Sequence, residues 1–485
     1  MNIPREDLIA VLSQFNPWWR GEGIADLPAW KRAVFRELYA WVVAPPAPRA
    51  VLISGARQVG KTTLLLQAIE KLINEGTPSA NILYATFDHP LLKLAGIDAV
   101  LDAWREREPK MPGPEYLFLD EAQFIRDWGT WVKLQVDFQK QRRIIFTGSA
   151  MPLAEAEQES GVGRWHAIKL TTLSFYEYLH IKRLDLPRLP SVHTLKELFQ
   201  WSPSELYKCS ESASPYVGHF HEYLLRGGFP QSAQIESITQ AQRLLREDII
   251  DKVLKRDMTA LFGVRRVLDL EHTFLYLCMH DGGILDMQNL CSNLEVKRPT
   301  AQNFIELLES VHLIYRLPPY GYGKDILRAK FKIYLADAAI SPAVMLKGKS
   351  MLEDPESMGT ATETSVFKHL FARYYTQSVK FSYWKGKKEH EVDLVAEIGG
   401  EIVPFEVKYR TQHTETRDLR GLVELMGTKE LTRGYVVTKS INDFGLLTKD
   451  DGVARRIMRI PAPLLCYWMG QSELEGFSSE ESAGG

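Results

Sequence analysis

The chain has 485 residues, 45% of them hydrophobic and 25% charged, with a net charge of -2, which is the composition of an ordinary globular protein with several domains. A near-neutral balance excludes a globally basic nucleic-acid coat, so any DNA contact has to come from local patches. Cys209, Cys278, Cys291 and Cys466 are scattered without Cys-x-x-Cys spacing and read as reduced thiols, neither a disulfide frame nor a zinc site. No apolar run approaches the about 18 to 20 residues of a membrane helix, and Arg5, Glu6 and Asp7 do not fit a signal peptide, so the expectation is a cytoplasmic protein without a membrane partner.

In chain order, residues 1–30 form an N-terminal segment and 31–200 an α/β nucleotide-binding domain. "RAVLISGARQVGKTTLLLQAIEKL" predicts an apolar strand at Val51 to Ser54, a glycine loop and an amphipathic helix. Gly55 and Gly60 bracket Ala56, Arg57, Gln58 and Val59 before Lys61, Thr62 and Thr63, which matches the P-loop pattern in its strand–loop–helix context. Loop amides can cradle the phosphates of ATP, Lys61 can reach the β and γ groups, and the Thr62 hydroxyl can hold Mg²⁺.

In "EYLFLDEAQ" a second apolar strand, Tyr116 to Leu119, delivers Asp120 to the Mg²⁺ shell and Glu121 to the attacking water. "RRIIFTGSA" predicts a third strand ending at Thr147 and Ser149, where a polar side chain can sense the γ-phosphate. Arg164, in "GVGRWH", is either a solvated loop residue or an arginine finger, acting in cis or from a neighbouring subunit of a homo-oligomer. With "ILYATFDHP" these strands make a parallel, doubly wound sheet with the nucleotide at their carboxyl ends.

Arg183 to Pro215 reads as a connection. Residues 201–267 then predict a helical lid whose Lys252, Lys255, Arg256, Arg265 and Arg266 suit a solvated helix face. Residues 268–322 predict helices followed by the strand-like "HLIYRL", a winged-helix pattern with Lys297 and Arg298 at the start of the third helix. It can read DNA or serve as a spacer.

Residues 323–472 close on "HEVDLVAEIGGEIVPFEVKYR", two alternating strands around Gly399-Gly400. Counting outward from that turn sets Asp393 opposite Glu406 and Lys408 opposite Glu391. Val392, Leu394, Ala396, Val403, Phe405 and Val407 form the core face. Pro404 suggests an edge or an irregular spot. Facing carboxylates repel by up to ~1 kcal/mol, which a divalent cation, Mg²⁺ or Mn²⁺, would offset while orienting a phosphate. The other reading is an exposed hairpin with a Glu391–Lys408 ion pair. Residues 473–485 are small, polar and acidic and predict a disordered tail.

Asp393 with Glu406-Val407-Lys408 resembles the Asp and Glu-x-Lys signature of the restriction-endonuclease-like fold, and that resemblance implies a further acid from an earlier helix, here Glu363 in "GTATETSVFKHLFARYY". "FNPWWRG", "SGARQVGKTTLL", "FLDEAQ", "FTGSA", "GVGRWHAIKLTTLSFYEYL", "YLLRGGFPQ", "FKIYLADAAI" and "YWKGKKEHEVDLV" occur in order. Nearly the full chain therefore resembles archaeal-type and bacterial AAA-family ATPases that carry a C-terminal restriction-endonuclease-like domain of unknown function. The resemblance places Arg164 where that family carries a finger. It implies an ATPase coupled to a metal-dependent DNA-cleaving domain. The alternatives are a DNA-binding or regulatory ATPase, with "GKDILRAKFK" and "SYWKGKK" contacting the backbone, or an oligomerising signalling NTPase of a defence or toxin module.

Overall fold

The structure, a computed structural model, describes residues 3–149, 163–321, 330–377, 379–386, 390–450 and 454–475. Residues 476–485 of the expected tail, most of "GKDILRAKFK" and Lys387-Lys388 of "SYWKGKK" lie outside them, while 473–475, expected in the tail, instead close the helix Ala462–Glu475. The chain forms two compact units, one of residues 1–170 with Ser310–His312, the other of Thr171–Glu309 and 313–485. Among the described residues no helix is long and apolar enough to cross a membrane.

The first unit is built on five parallel strands: β1 (Ala50–Ser54), β2 (Ile82–Thr86), β3 (Glu115–Asp120), β4 (Arg142–Gly148) and β5 (Trp165–Lys169), in spatial order β2-β3-β4-β1-β5. Strands β1 to β4 are almost continuous apolar runs because helices cover both faces, and β1 and β3 are buried throughout. β2 is an edge, and its open backbone groups are taken by the N-terminal segment. Asn16 accepts from Tyr84 N–H (2.7 Å) and donates to Tyr84 C=O (2.9 Å), while Trp19 Nε1 donates to Ile82 C=O (3.0 Å). "FNPWWRG" thus blunts an edge strand that would otherwise invite pairing.

The second unit begins with a helix at Phe175–Ile181, followed by helices at Pro203–Ala213, Tyr216–Arg226 and Ile238–Arg246. Three more follow at Val267–Met279, Met287–Leu294 and Arg298–Ser310, ahead of an antiparallel pair, β6 (Ile314–Leu317) with β7 (Lys332–Leu335). A six-stranded mixed sheet completes it. Its strands are β8 (Lys380–Lys385), β9 (Glu391–Ile398), β10 (Glu401–Lys408), β11 (Arg433–Thr438), β12 (Gly445–Asp450) and β13 (Ala454–Pro461), in order β12-β13-β11-β10-β9-β8. β9 and β10 meet as the glycine pair requires: Gly399 and Gly400 have φ of +57° and +82°, and Ile398 pairs with Glu401.

Of the two expectations for Pro404, an edge or an irregular spot, the first does not hold, because β10 lies between β9 and β11. Pro404 is tolerated there since the β11 ladder begins only at Phe405. One face of this sheet packs Val392, Val395, Val436 and Ile457 against Leu422, Leu425 and Met426 of helix Arg420–Thr428. Helices Pro355–Tyr374 and Ala462–Glu475 pack on each other and reach β10, β11 and β13.

Several motifs meet at the buried ammonium of Lys368. It donates to Leu173 C=O (2.7 Å), Thr172 Oγ1 (3.0 Å) and Asp337 Oδ2 (3.4 Å), and to the Tyr223 hydroxyl. Asp337 also accepts from Gly228 N–H (3.0 Å), so "TTLSFYEYL", "YLLRGGFPQ" and "LADAA" share one polar node. Removing one partner of such a buried pair leaves an uncompensated charge, which is what makes the node hard to alter.

Candidate functional sites

The loop Gly55–Gly60 connects β1 to helix Lys61–Asn74. Its backbone leaves little choice of residue. Gly60 has φ +100°, Gln58 is also left-handed at +62°, and a Cβ on Gly55 would come to 2.3 Å from Leu170 O. Lys61 Nζ is folded back on the loop, donating to Gly55 O (3.0 Å) and Ala56 O (2.9 Å), where phosphate oxygens would replace those carbonyls.

Thr62 Oγ1 donates to Asp120 Oδ2 at 2.7 Å, so hydroxyl and carboxylate already stand together at the expected Mg²⁺ position. Tyr84 OH donates to the same oxygen (2.9 Å), and Thr147 Oγ1 donates to Asp120 Oδ1. Burial, reinforced by the nearby Glu121 charge, pushes the Asp120 carboxyl above its ordinary pKa despite these donors.

Thr147 also receives the Glu121 N–H (2.9 Å), and Glu121 Oε2 is bonded by Gln123 and by Ser149 (3.1 Å). One hydroxyl from β4 therefore ties both acids of "DE" together. Tyr84 and Gln123 were not singled out from sequence, because the role of Tyr84 depends on β2 lying beside β3 and that of Gln123 on Ser149 coming up after β4. Nor was His312, which is 258 residues from its partner Ser54 Oγ (2.6 Å) at the end of β1. Burial, with Lys61 and Lys169 nearby, holds the His312 imidazole down at about 3.

Arg164 does not join its own P-loop. It precedes β5, whose Trp165 is level with Ala50 at the start of β1, whereas the loop leaves the opposite end of that strand. Its guanidinium pairs with Asp137 (2.8 Å). Of the alternatives for Arg164, solvated residue or finger in cis or in trans, strand polarity speaks against the cis one.

In the second unit the expected acids do converge. Glu363 lies on helix Pro355–Tyr374, Asp393 on β9, and Glu406 and Lys408 on β10. Glu406 Oε1 accepts from Lys408, Asp393 Oδ2 accepts from Val407 N–H (2.8 Å), and Glu363 Oε1 accepts from Tyr334 OH (2.7 Å). Burial first, then the Asp393 charge, raises the Glu363 carboxyl and pushes Glu406 up to about 8. Lys408 is raised because Glu406 and Asp393 outweigh its burial.

The expected Glu391–Lys408 pair is not made. Lys408 turns to Glu406, and Glu391 goes to Lys332 of β7. Lys332 closes "GKDILRAKFK", the stretch expected to contact a nucleic-acid backbone, yet it is buried among carboxylates and turned away from solvent. Its placement facing Lys332-x-Tyr334 toward β9 is tertiary, and only the two-residue spacing of Lys332 and Tyr334 hints at it.

Among the described residues no three His, Cys, Asp or Glu side chains adopt a metal-ligand arrangement. The cluster nevertheless suits a divalent cation by charge and by donors. Four carboxylates face two ammonium groups, and Glu406 Oε2 is buried with no hydrogen-bond partner. Asp393 and Glu406 are the residues that would hold such an ion.

Residues 47–179 match the family model described as AAA domain, residues 217–351 a domain of unknown function (DUF8612), and residues 358–464 another (DUF4143). The five-stranded parallel sheet, the P-loop and the Asp120–Glu121 pair accordingly define the first unit as an AAA-type ATPase domain. The chain is similar to an uncharacterized protein of Haemophilus influenzae, 28% identical over 75% of this chain and 84% of that one. It is also similar to one of Mycobacterium tuberculosis, 25% identical over 77% and 74%.

Among solved structures it overlaps the Aeropyrum pernix ORC1 protein in complex with DNA, at 13% identity and a TM-score of 0.29, covering 68% of this chain and 95% of that one. AMPPCP-bound DnaA from Aquifex aeolicus overlaps at 13% and 0.24, covering 57% and 86%. Scores this low add nothing to the assignment made from the sheet and the loop.

Proposed function

We propose that the chain couples Mg²⁺-dependent ATP hydrolysis in its first unit to metal-dependent cleavage of DNA by a restriction-endonuclease-like second unit. The observation that carries this reading is the convergence of Glu363, Asp393, Glu406 and Lys408 from one helix and two strands into a single cluster, with Glu406 buried and the other three half-buried. Desolvating so many acids costs several kcal/mol each unless they are paired, and a purely structural role would be served better by apolar residues.

At the ATP site, Thr62 and Asp120 would hold Mg²⁺ between the phosphates, Lys61 would neutralise the γ-phosphate, and Glu121 would orient the attacking water. Release of Glu121 from Gln123 and Ser149 is the movement this requires. At the second site a bound divalent cation would supply Lewis acidity toward a phosphodiester. There Asp393 and Glu406 would hold it, Glu363 would help fix the surrounding hydrogen bonds, and Lys408 would donate to the developing charge on the phosphate oxygens. Arg164, paired with Asp137 in its own subunit, serves as a finger only across a homo-oligomer. Residues 268–322, with the helices after Val267 and β6, would serve as the winged-helix element that grips DNA.

One observation favours a second reading, in which the domain binds DNA without cutting it: an ammonium, Lys332, already sits among the acids. Incubation of the protein with supercoiled plasmid and single-stranded DNA in Mg²⁺ or Mn²⁺, with and without ATP, separates the two. Cleavage that the Glu406→Ala, Lys408→Ala variant lacks supports the nuclease. DNA retention without cleavage in every condition leaves the binding ATPase.

A further inference from the structure

We infer that the Lys332 ammonium is a resident counter-ion of the acidic cluster, held by Asp393, one of the two carboxylates a divalent cation would need, together with the neighbouring Glu363 and Glu391, and competing with that cation. This deepens the metal-dependent reading above and rests on it. Lys332 is 2% exposed, and its Nζ lies 2.7 Å from Glu363 Oε1, 2.8 Å from Glu391 Oε1 and 3.2 Å from Asp393 Oδ1. A lysine has three N–H donors, and each has its own carboxylate, supplied by a helix and two positions of β9. The ammonium is thus placed as a coordinated ion would be.

Its backbone leaves it little freedom to withdraw. Lys332 opens β7, opposite Leu317 of β6, and is bridged on the other side to Ile284.

This arrangement accounts for the scarcity of metal-ligand geometry around it. Glu363, Glu391 and Asp393 point at Lys332, and only Glu406 is outside its set, with one oxygen on Lys408 and the other without a partner. With all six groups ionised, two negative charges remain. That deficit matches one divalent cation and leaves no charge for a second. Lys332 therefore does two things: it holds the metal-free cluster together, and it lowers the affinity for the entering ion by contesting Glu363 and Asp393.

The test is Mn²⁺ binding to the full chain without nucleotide, by calorimetry and by the Mn²⁺ resonance signal, counting only the binding that Asp393→Asn removes. Lys332→Met keeps the length of the side chain and removes the charge. It is expected to bind Mn²⁺ about tenfold more tightly or better, the scale on which groups behind metal ligands act. Its metal-free melting temperature should fall and should recover on adding Mn²⁺.

Glu391→Gln is the second variant, used whether or not Lys332→Met folds. Glu391 is one-third exposed and outside the expected ligand pair, so the fold should tolerate the change. It removes one negative charge and gives the ammonium wholly to Glu363 and Asp393, so Mn²⁺ should bind about threefold more weakly or worse.

Wild-type binding that neither variant changes overturns the role of Lys332 and leaves the metal reading standing. No binding by the wild type, with binding by Lys332→Met, upholds Lys332 as the occupant and overturns the metal-dependent nuclease. Absence of binding in all forms overturns both.

Discussion

Thr147→Val tests whether the two acids of the ATP site depend on one hydroxyl. Valine preserves the shape of the side chain in β4 but can neither donate to Asp120 nor accept from the Glu121 amide. The lost bond to a buried carboxylate is worth about 1.5–3 kcal/mol, and the orphaned Glu121 N–H costs about 1–3 kcal/mol more. A destabilisation of about 3 kcal/mol or more in the first unit follows, concentrated at the ends of β3 and β4.

ATP turnover should fall about 10- to 100-fold as Glu121 loses its fixed backbone, the scale of a misplaced reacting group. Two assays read this: steady-state ATP hydrolysis, and hydrogen exchange at the Glu121 amide, whose acceptor disappears. Thr147→Ser retains both bonds and should restore both readouts. Turnover within twofold of wild type, with the Glu121 amide as protected as before, would refute the reasoning.

His312 is neutral in the fold because its pKa is held at about 3, below an unfolded value near 6.5. Between those values the unfolded chain binds the extra proton. The first unit should therefore lose stability as pH falls below about 6.5, at up to ~1.4 kcal/mol per pH unit. His312→Gln, which can still bond Ser54, should flatten that slope in denaturation measured from pH 7 to 4.5. Gly228→Ala would bring a Cβ to 2.4 Å from Leu173 O beside the Lys368–Asp337 node. A loss of about 3 kcal/mol is expected in thermal denaturation of the second unit, and an unchanged midpoint would show that the loop moves freely. Arg164→Ala should leave ATP affinity within about twofold and reduce turnover only at protein concentrations where the chain self-associates. An equal loss at every concentration, in a titration of rate against concentration, would restore a cis role.

Much of the first site is local, and local sites can be read from a chain. The P-loop is a run of adjacent residues whose glycines answer to backbone geometry. The strand that carries Asp120 and Glu121 is an uninterrupted apolar run because both faces of a parallel sheet are covered. The glycine pair at 399–400 sets the β9–β10 register, which brings Asp393 and Glu406 together without knowledge of the rest of the sheet. Where the reading left alternatives open, properties of the whole sheet bear on them. Pro404 could mark an edge or an irregular spot until β11 is seen to begin only at Phe405, and Arg164 could act in cis or in trans until β5 is seen to start level with the far end of β1.

The sequence by itself determined the elements whose signals lie within about twenty residues: the phosphate loop, the acidic strand end and the hairpin with its facing acids. The tertiary structure alone decided which distant groups complete them. It set His312 on Ser54, Tyr84 on Asp120, Lys368 on Asp337, and Lys332 among Glu363, Glu391 and Asp393. A buried charge leaves no periodic trace in its own segment. Its position is dictated by the partners that offset its desolvation, and those arrive from elsewhere in the chain.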